Sequence, residues 1–362
     1  MIHVIPIHIR RGSYTAWHSL LNFKEPVNFI DIENSDDLEQ NAWRYNFIEL
    51  FDTHLSKIDI KSGDSIIIDI SYFNLDSFEK LTKKIDSIAE KYQCKFFLVD
   101  DDNRSDFTDT KNLTYFSNRF NINTDKNNFN YFRYRAPLQY YWNEFDFVTN
   151  QFIKNFRQKK ISMIVGVDKI ERIKIFKYVY DIGLNNDSWL GYSSFVRSYN
   201  DSDIDEELLE FRNKTIPIIL DSTQTMAYQG DINVEMPPLP ITMTSYVSCI
   251  LETAILLDGQ IHLSEKSWNP FISKNIPLIL GSSYINQYLK QLGFWLADDL
   301  FDLSPQLTRD SILQQYKNNL DIINKMSIDD LHNYYIQNKD NINSNFRLLK
   351  DQKFIFDRNN YK

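Results

Sequence analysis

Residues 65–99 read SIIIDISYFNLDSFEKLTKKIDSIAEKYQCKFFLV. Ser65–Ile70 is an apolar, β-branched run, the pattern of a strand buried on both faces. The period then changes. Phe78, Leu81, Ile85 and Ile88 recur at three- and four-residue spacing, which places them on one face of a helix over Asp76–Tyr92. Lys95–Val99 returns to an apolar strand and runs into Asp100, Asp101 and Asp102. Strand, helix and strand in this order make a βαβ unit. The sheet is therefore parallel and covered by helices on both faces.

The same alternation extends outward. Upstream, Ile2–Ile9 and Val27–Ile32 read as strands, with helices expected from Ser13 through Leu21 and over Asp36–Leu55. No G-x-G-x-x-G follows any of these strands, so dehydrogenase-style dinucleotide binding is not expected in this half. A polar stretch, Asn121–Asn130, leads to an aromatic-rich helix over Tyr131–Phe156. Downstream the pattern restarts. Strands are expected at Lys160–Val165, Ile216–Leu220, Ser245–Leu251 and Ile276–Leu280. Helices are expected at Asp168–Ile182, Ser264–Ser273 and Ser282–Leu292, with a wholly helical pattern over 311–350. Gln229–Pro240 reads as a loop. The fold class is α/β: two Rossmann-like domains facing a cleft, 1–155 and 156–310. C-terminal helices in 311–362 pack back across both.

Composition narrows the function classes. The chain has 362 residues, 43% hydrophobic and 25% charged, as folded proteins do. Lys plus Arg is 40 and Asp plus Glu is 49, so the net charge is 40 − 49 = −9. That balance disfavours broad non-specific nucleic-acid binding. One basic strip, Arg119, Arg133, Arg135, Arg157, Lys159 and Lys160, keeps a local contact with DNA open. Only 9 glycines are present, which argues against a glycine-rich phosphate loop. Cys94 and Cys249 are too few for a disulfide framework or a four-ligand zinc site, so a reduced, cytoplasmic setting is expected. The apolar start is broken by His3, Pro6 and His8, unlike a signal peptide. No apolar run reaches the ~20 residues of a membrane span.

In open α/β sheets, ligands bind beyond the carboxyl ends of the strands. In the first half that rule selects Arg10, Arg11, Asp31, Asp69 and Asp100–Asp102. In the second it selects Gly166 onward, Asp221, Glu252 and Ser264 onward. Ser264 is a good N-cap, and a helix start offers free N–H groups and partial positive charge. With Lys266 in the first turn, it suits a diphosphate. Glu252 and Glu265 suit ribose hydroxyls, and His262 stands just upstream. Asp100–Asp102 has three readings: a solvated loop, a general base, or a D-x-D ligand set for Mn²⁺ or Mg²⁺.

The order Glu252, Ser264-Glu265-Lys266, short helix, then Ile276-Pro277-Leu278-Ile279-Leu280-Gly281 resembles the donor-binding half of GT-B glycosyltransferases. Within these it is similar to the fucosyltransferase-like group. The continuation Leu289–Asp302 is similar to glycosyltransferase-like proteins of phages and large viruses. Upstream, Arg172 matches the arginine that contacts the donor's phosphates. The resemblance covers about residues 160–302. It departs at Asn269-Pro270, where a proline falls inside the expected helix.

The resemblance implies transfer of a sugar from a UDP- or GDP-linked donor to an acceptor hydroxyl, inverting and without a metal or other cofactor. Gly166, Arg172, Glu252, His262, Ser264, Glu265 and Lys266 are then the donor-side residues. Asp100, Asp102 and Asp69 are candidates for the base, and Arg10 and Arg11 for the acceptor clamp. The acceptor is a glycan, or a hydroxymethylated base in phage DNA acted on in the host cytoplasm. Two other readings stay open. One is a non-catalytic nucleotide- or glycan-binding module on the same scaffold. The other is a metal-dependent GT-A enzyme using Asp100–Asp102.

Overall fold

The computed structural model describes residues 1–5, 27–29, 55–69, 78–100, 111–117, 119–121, 142–197, 199–218 and 239–351. The fold is α/β, with two parallel sheets and several helices.

The first sheet holds β1 (Ile2–Ile5), β2 (Val27–Phe29), β3 (Ser65–Asp69), β4 (Lys95–Asp100) and β5 (Leu113–Ser117). Its order is β2-β1-β3-β4-β5, parallel throughout. Ile66, Ile67 and Ile68 of β3 and Phe96, Phe97 and Leu98 of β4 are all buried, as a sheet covered on both faces requires. Helix α1 (Phe78–Tyr92) links the two strands. It buries Leu81, Ile85 and Ala89, while Ile88 is half-buried. The inward stripe therefore follows four-residue steps from Leu81. Asp64, just before β3, accepts the Lys61 N–H and lies 3.0 Å from His3 Nε2 on β1. Burial opposes its ionisation. The Lys61 N–H, the Met1 α-amino group and His3 outweigh that and hold the carboxyl at about 2.

Strand β6 (Arg119–Asn121) leaves this sheet. Helix α2 (Trp142–Phe152) precedes β7 (Lys159–Asp168), α3 (Ile170–Asp181), β8 (Ser188–Arg197) and α4 (Glu206–Thr215). Then come β9 (Ser245–Leu251), β10 (Gln260–His262), α5 (Glu265–Ile272), β11 (Ile276–Leu280) and α6 (Ile285–Gln291). Three helices close the described chain: α7 (Arg309–Lys325), α8 (Ile328–Gln337) and α9 (Lys339–Asp351). The second sheet has the order β8-β7-β9-β11, again parallel. Counted along the chain within each sheet, both run second, first, third, fourth, and the first sheet adds a fifth strand. This is one doubly wound order used twice.

Several elements differ from the sequence reading. β5, β6, β8, β10 and α4 are additional. Of the expected strand Ile216–Leu220, the described residues 216–218 contribute an isolated bridge between Ile218 and Tyr192, and residues 219–220 lie outside the described residues. Gly166 does not end its strand. It marks a register shift inside β7, which runs on to Asp168, the usual meaning of a glycine within a strand. Pro270 sits inside α5 without ending it. The expected helices at 13–21 and 36–54 lie outside the described residues.

One core joins the second sheet to the C-terminal helices. It runs from Ile153 through Ile161, Met163 and Val247 to Ile312, Leu320, Tyr335 and Leu349. It crosses residue 310, where the sequence placed a boundary. Among the described residues, α7–α9 pack mainly on α3, α5, β7, β9 and β11. Lys274 Nζ, which is buried, reaches back to Asp146 Oδ1 at 2.6 Å and Asn150 Oδ1 at 2.5 Å, fastening α2 to the second unit.

Among the described residues no helix is long and apolar enough to cross a membrane. Cys94 and Cys249 are buried free thiols, and burial pushes them up to about 11 and about 12.

Candidate functional site

In a doubly wound sheet the strand order reverses between the first and third strands, and the chain ends there diverge to leave a crevice. In the second sheet that point is between β7 and β9. A cleft of about 160 Å³ opens there, at the carboxyl ends of β7, β9 and β11. The turn from β7 into α3 supplies Lys169, Glu171 and Arg172. The end of β9 and the segment after it supply Leu251 to Leu256. β11 adds Leu280, and α7 adds its first residue, Arg309. Three cations and two carboxylates thus surround a partly apolar wall.

Each inner charge is fixed by the backbone that ends the strands. Arg172 is 2% exposed. Its Nη1 donates to Val167 O at 2.9 Å and its Nη2 to Leu251 O at 2.8 Å. It therefore ties the ends of β7 and β9 together. Lys169 Nζ donates to Thr253 O, holding the segment after β9 against α3.

Glu252 is 4% exposed. Its carboxylate accepts from the Thr253 N–H at 3.0 Å, the Ser264 N–H at 3.2 Å, Ser264 Oγ at 2.7 Å and Ser267 Oγ at 2.5 Å. Ser264 Oγ also caps α5 by accepting the Lys266 N–H at 3.3 Å. The carboxylate therefore clamps the start of α5, and that network accounts for both of its oxygens. Burial opposes its ionisation. His262, Lys266 and the two serine hydroxyls outweigh burial and hold the carboxyl below its ordinary range. Gly281 makes room for this. A Cβ there would meet Ile285 Cδ1 at 3.0 Å and Glu252 Cβ and Cγ at 3.3 Å.

A depressed carboxylate contributes stability that is present above its unfolded value, 4.5, and lost as pH falls through the folded value. Glu252→Gln keeps the shape but turns one acceptor into a donor facing serine hydroxyls. We expect it to cost about 2 kcal/mol at pH 7 and to flatten the acid limb of stability. Urea unfolding at pH 7 and at acid pH checks this; equal losses at both would remove the charge from the explanation.

One further residue escaped the sequence. Asp168, the last of β7, is 0% exposed. It accepts from Tyr192 Oη at 3.0 Å, Tyr199 Oη at 3.1 Å, and both Nε and Nη2 of Arg212 at 3.0 Å. Burial and this carboxylate together push the Tyr192 hydroxyl upward. The network pins α4 and residue 199 to the turn that carries Lys169 and Arg172. Its partners lie tens of residues downstream, beyond any local pattern.

The residues expected on the donor side thus divide. Arg172 and Glu252 line the cleft. His262, Ser264 and Lys266 gather around Glu252, and Glu265 opens α5. Gly166 stands apart, exposed in the β7 bulge. Asp69 and Asp100 end the neighbouring strands β3 and β4, at the carboxyl edge of the first sheet. Asp102, Arg10 and Arg11 lie outside the described residues, as do Asp31, Asp101 and Asp221. No family model and no curated protein matches this chain. What marks the site is strand topology and the charge set around it. A larger cavity of about 360 Å³ lies between α3, α4 and α7, away from the strand ends. Its Lys177 is paired with Asp181 and Glu207, both at 2.8 Å.

The two halves meet beside this region. β6 pairs antiparallel with β10, setting Arg119 opposite His262, two residues before the Ser264 cap. Two residues of the basic strip turn inward. Arg157 is 2% exposed, and Lys160 is 8% exposed with its Nζ bonded to Asn324 O at 3.0 Å. Arg157 lies just before β7 and Lys160 at its start; Lys159 between them is half-buried, and Arg133, Arg135 and the side chain of Arg119 lie outside the described residues. Among the described residues no three potential metal ligands cluster.

Proposed function

We propose that the protein is a glycosyltransferase that binds a UDP- or GDP-linked sugar in the second unit and presents an acceptor hydroxyl from the first. The observation that carries this reading is the cationic cleft at the β7/β9 reversal point. The donor's diphosphate lies against Lys169 and Arg172, with the nearby Lys266 adding to the field. Glu252 is a positioning residue that holds α5, not a ribose ligand. A carboxylate of the first sheet takes the acceptor proton. The freed oxygen attacks the anomeric carbon, the bond to the diphosphate breaks, and the cations receive the developing charge.

Topology ranks the bases. β3 flanks the reversal point of the first sheet and β4 is one strand further out, so Asp69 ranks ahead of Asp100. The burial of Arg157 and Lys160 favours a glycan acceptor over DNA.

We expect slow release of free sugar from a UDP- or GDP-sugar without acceptor. Asp69→Asn should lower turnover about hundredfold or more while nucleotide binding, read by thermal shift, stays intact. A larger loss in Asp100→Asn would reassign the base. Absence of both binding and turnover with every nucleotide sugar would overturn the reading. The internal engagement of Arg172 and Glu252 favours one second reading, a nucleotide-binding module without turnover. Binding with no release of sugar is its signature.

A further inference from the structure

We propose that Arg309 is an anion-binding residue of the cleft and that Glu171 is its partner only while the cleft is empty. The proposal takes the ligand class, a diphosphate, from the functional reading above. It then assigns residues and a mode of entry that neither the sequence nor the resemblance indicates.

Three cations line the cleft, and they differ in how they are held. Arg172 is bonded to two strand-end carbonyls, and Lys169 to Thr253 O. Their positions are set before any ligand arrives. Arg309 stands at the mouth on the first residue of α7, with a side chain 62% exposed. Its ion pair is with Glu171 of α3, 29% exposed, at 3.7 Å from Nη1 to Oε1. At that length and exposure the pair is loose and water-screened, and such pairs contribute little to stability. A guanidinium exchanges such a partner readily for a doubly charged anion that it can grip through two N–H groups. Glu252, the other carboxylate in the wall, is already occupied by Ser264 and Ser267.

The exchange is a side-chain motion, because α7 itself is locked into the core by Ile312, Leu313 and Tyr316. Glu171 therefore acts in two ways. It holds Arg309 over the empty cleft, and it competes with any anion that enters. An anion must carry enough charge to displace it, which favours a diphosphate over a singly charged ion. The C-terminal helices contribute a ligand contact by this route.

The test is calorimetric titration of the full-length protein with inorganic pyrophosphate and, separately, UDP, at low salt. Arg309→Ala should weaken pyrophosphate binding about tenfold, the value of one charge-assisted contact. Glu171→Gln should tighten it about threefold, the value of one screened competing pair. The double variant should bind like Arg309→Ala alone, since Glu171 has nothing left to hold. Both positions are exposed enough that melting temperatures should match the parent protein. A purely structural ion pair would move both single variants in the same direction or not at all, and either result overturns the proposal. So does failure of the parent protein to bind pyrophosphate. The two readings also fail separately. Pyrophosphate binding with the opposed signs but no sugar transfer would sink the glycosyltransferase reading and leave this one. Sugar transfer indifferent to Arg309 would do the reverse.

Discussion

Arg157→Met should lower the stability of the second unit by about 4 kcal/mol. The guanidinium is enclosed at the amino ends of the strands. Nη1 donates to Ser245 O and Asn275 Oδ1, both at 2.5 Å. Nη2 donates to Tyr335 Oη at 2.5 Å and Lys274 O at 3.3 Å. The group also lies 4.3 Å from the centre of the Tyr335 ring. A buried charge is not stabilising in itself, since replacing a whole polar cluster with apolar groups is often neutral. Here only one partner is replaced. Methionine fills the space but leaves the buried carbonyls of Ser245 and Lys274 with fewer donors, at about 1–3 kcal/mol each. Arg157→Lys keeps the charge without the fork and should fall between. Urea unfolding resolves the three proteins. A change below about 1 kcal/mol for Arg157→Met would mean that water or a neighbour takes over the freed carbonyls.

The second large effect is expected at Asp168. Asp168→Asn removes the charge that faces Arg212 and turns an NH₂ toward donors. The cost should be about 3 kcal/mol, at the low end for breaking a buried pair because the Arg212 side chain is 19% exposed. The loss should be local as well as global. Helix α4 should exchange its amide hydrogens faster and, on the proposed reading, nucleotide affinity should fall as the turn bearing Lys169 and Arg172 loosens. A double-mutant cycle with Arg212→Met isolates the pair. Additive losses, with coupling under about 0.5 kcal/mol, would show that Asp168 works through its tyrosines instead.

The strands of the first sheet were legible wherever apolar residues ran unbroken, as in β3 and β4. Strand β8 was not, because Gly191, Ser193 and Ser194 interrupt its pattern and its partner β7 supplies the order. Helix α4 offered a usable signal, Asp205 as a capping residue before Glu206 and Glu207, but only Leu208 is buried along it. Of the residues lining the cleft, Glu252 was legible from the strand-end rule and Arg172 only through the resemblance. Their contacts were not, since a strand-end charge can face either a ligand or the carbonyls around it. Arg309 was invisible for a different reason. It reaches the cleft only because α7 folds back onto α3, a placement set by the shared core and not by any neighbouring sequence.

That shared core also sets where this protein can be cut. A fragment ending at residue 310 would keep every strand of the second sheet yet strip Ile312, Leu313, Tyr316, Leu320 and Ile323 from its flank. The exposed wall would be apolar and continuous, the kind of surface that drives association in solution. A piece of the second unit that keeps this core intact therefore begins before Trp142, to retain the Asp146 anchor, and extends at least to Leu349.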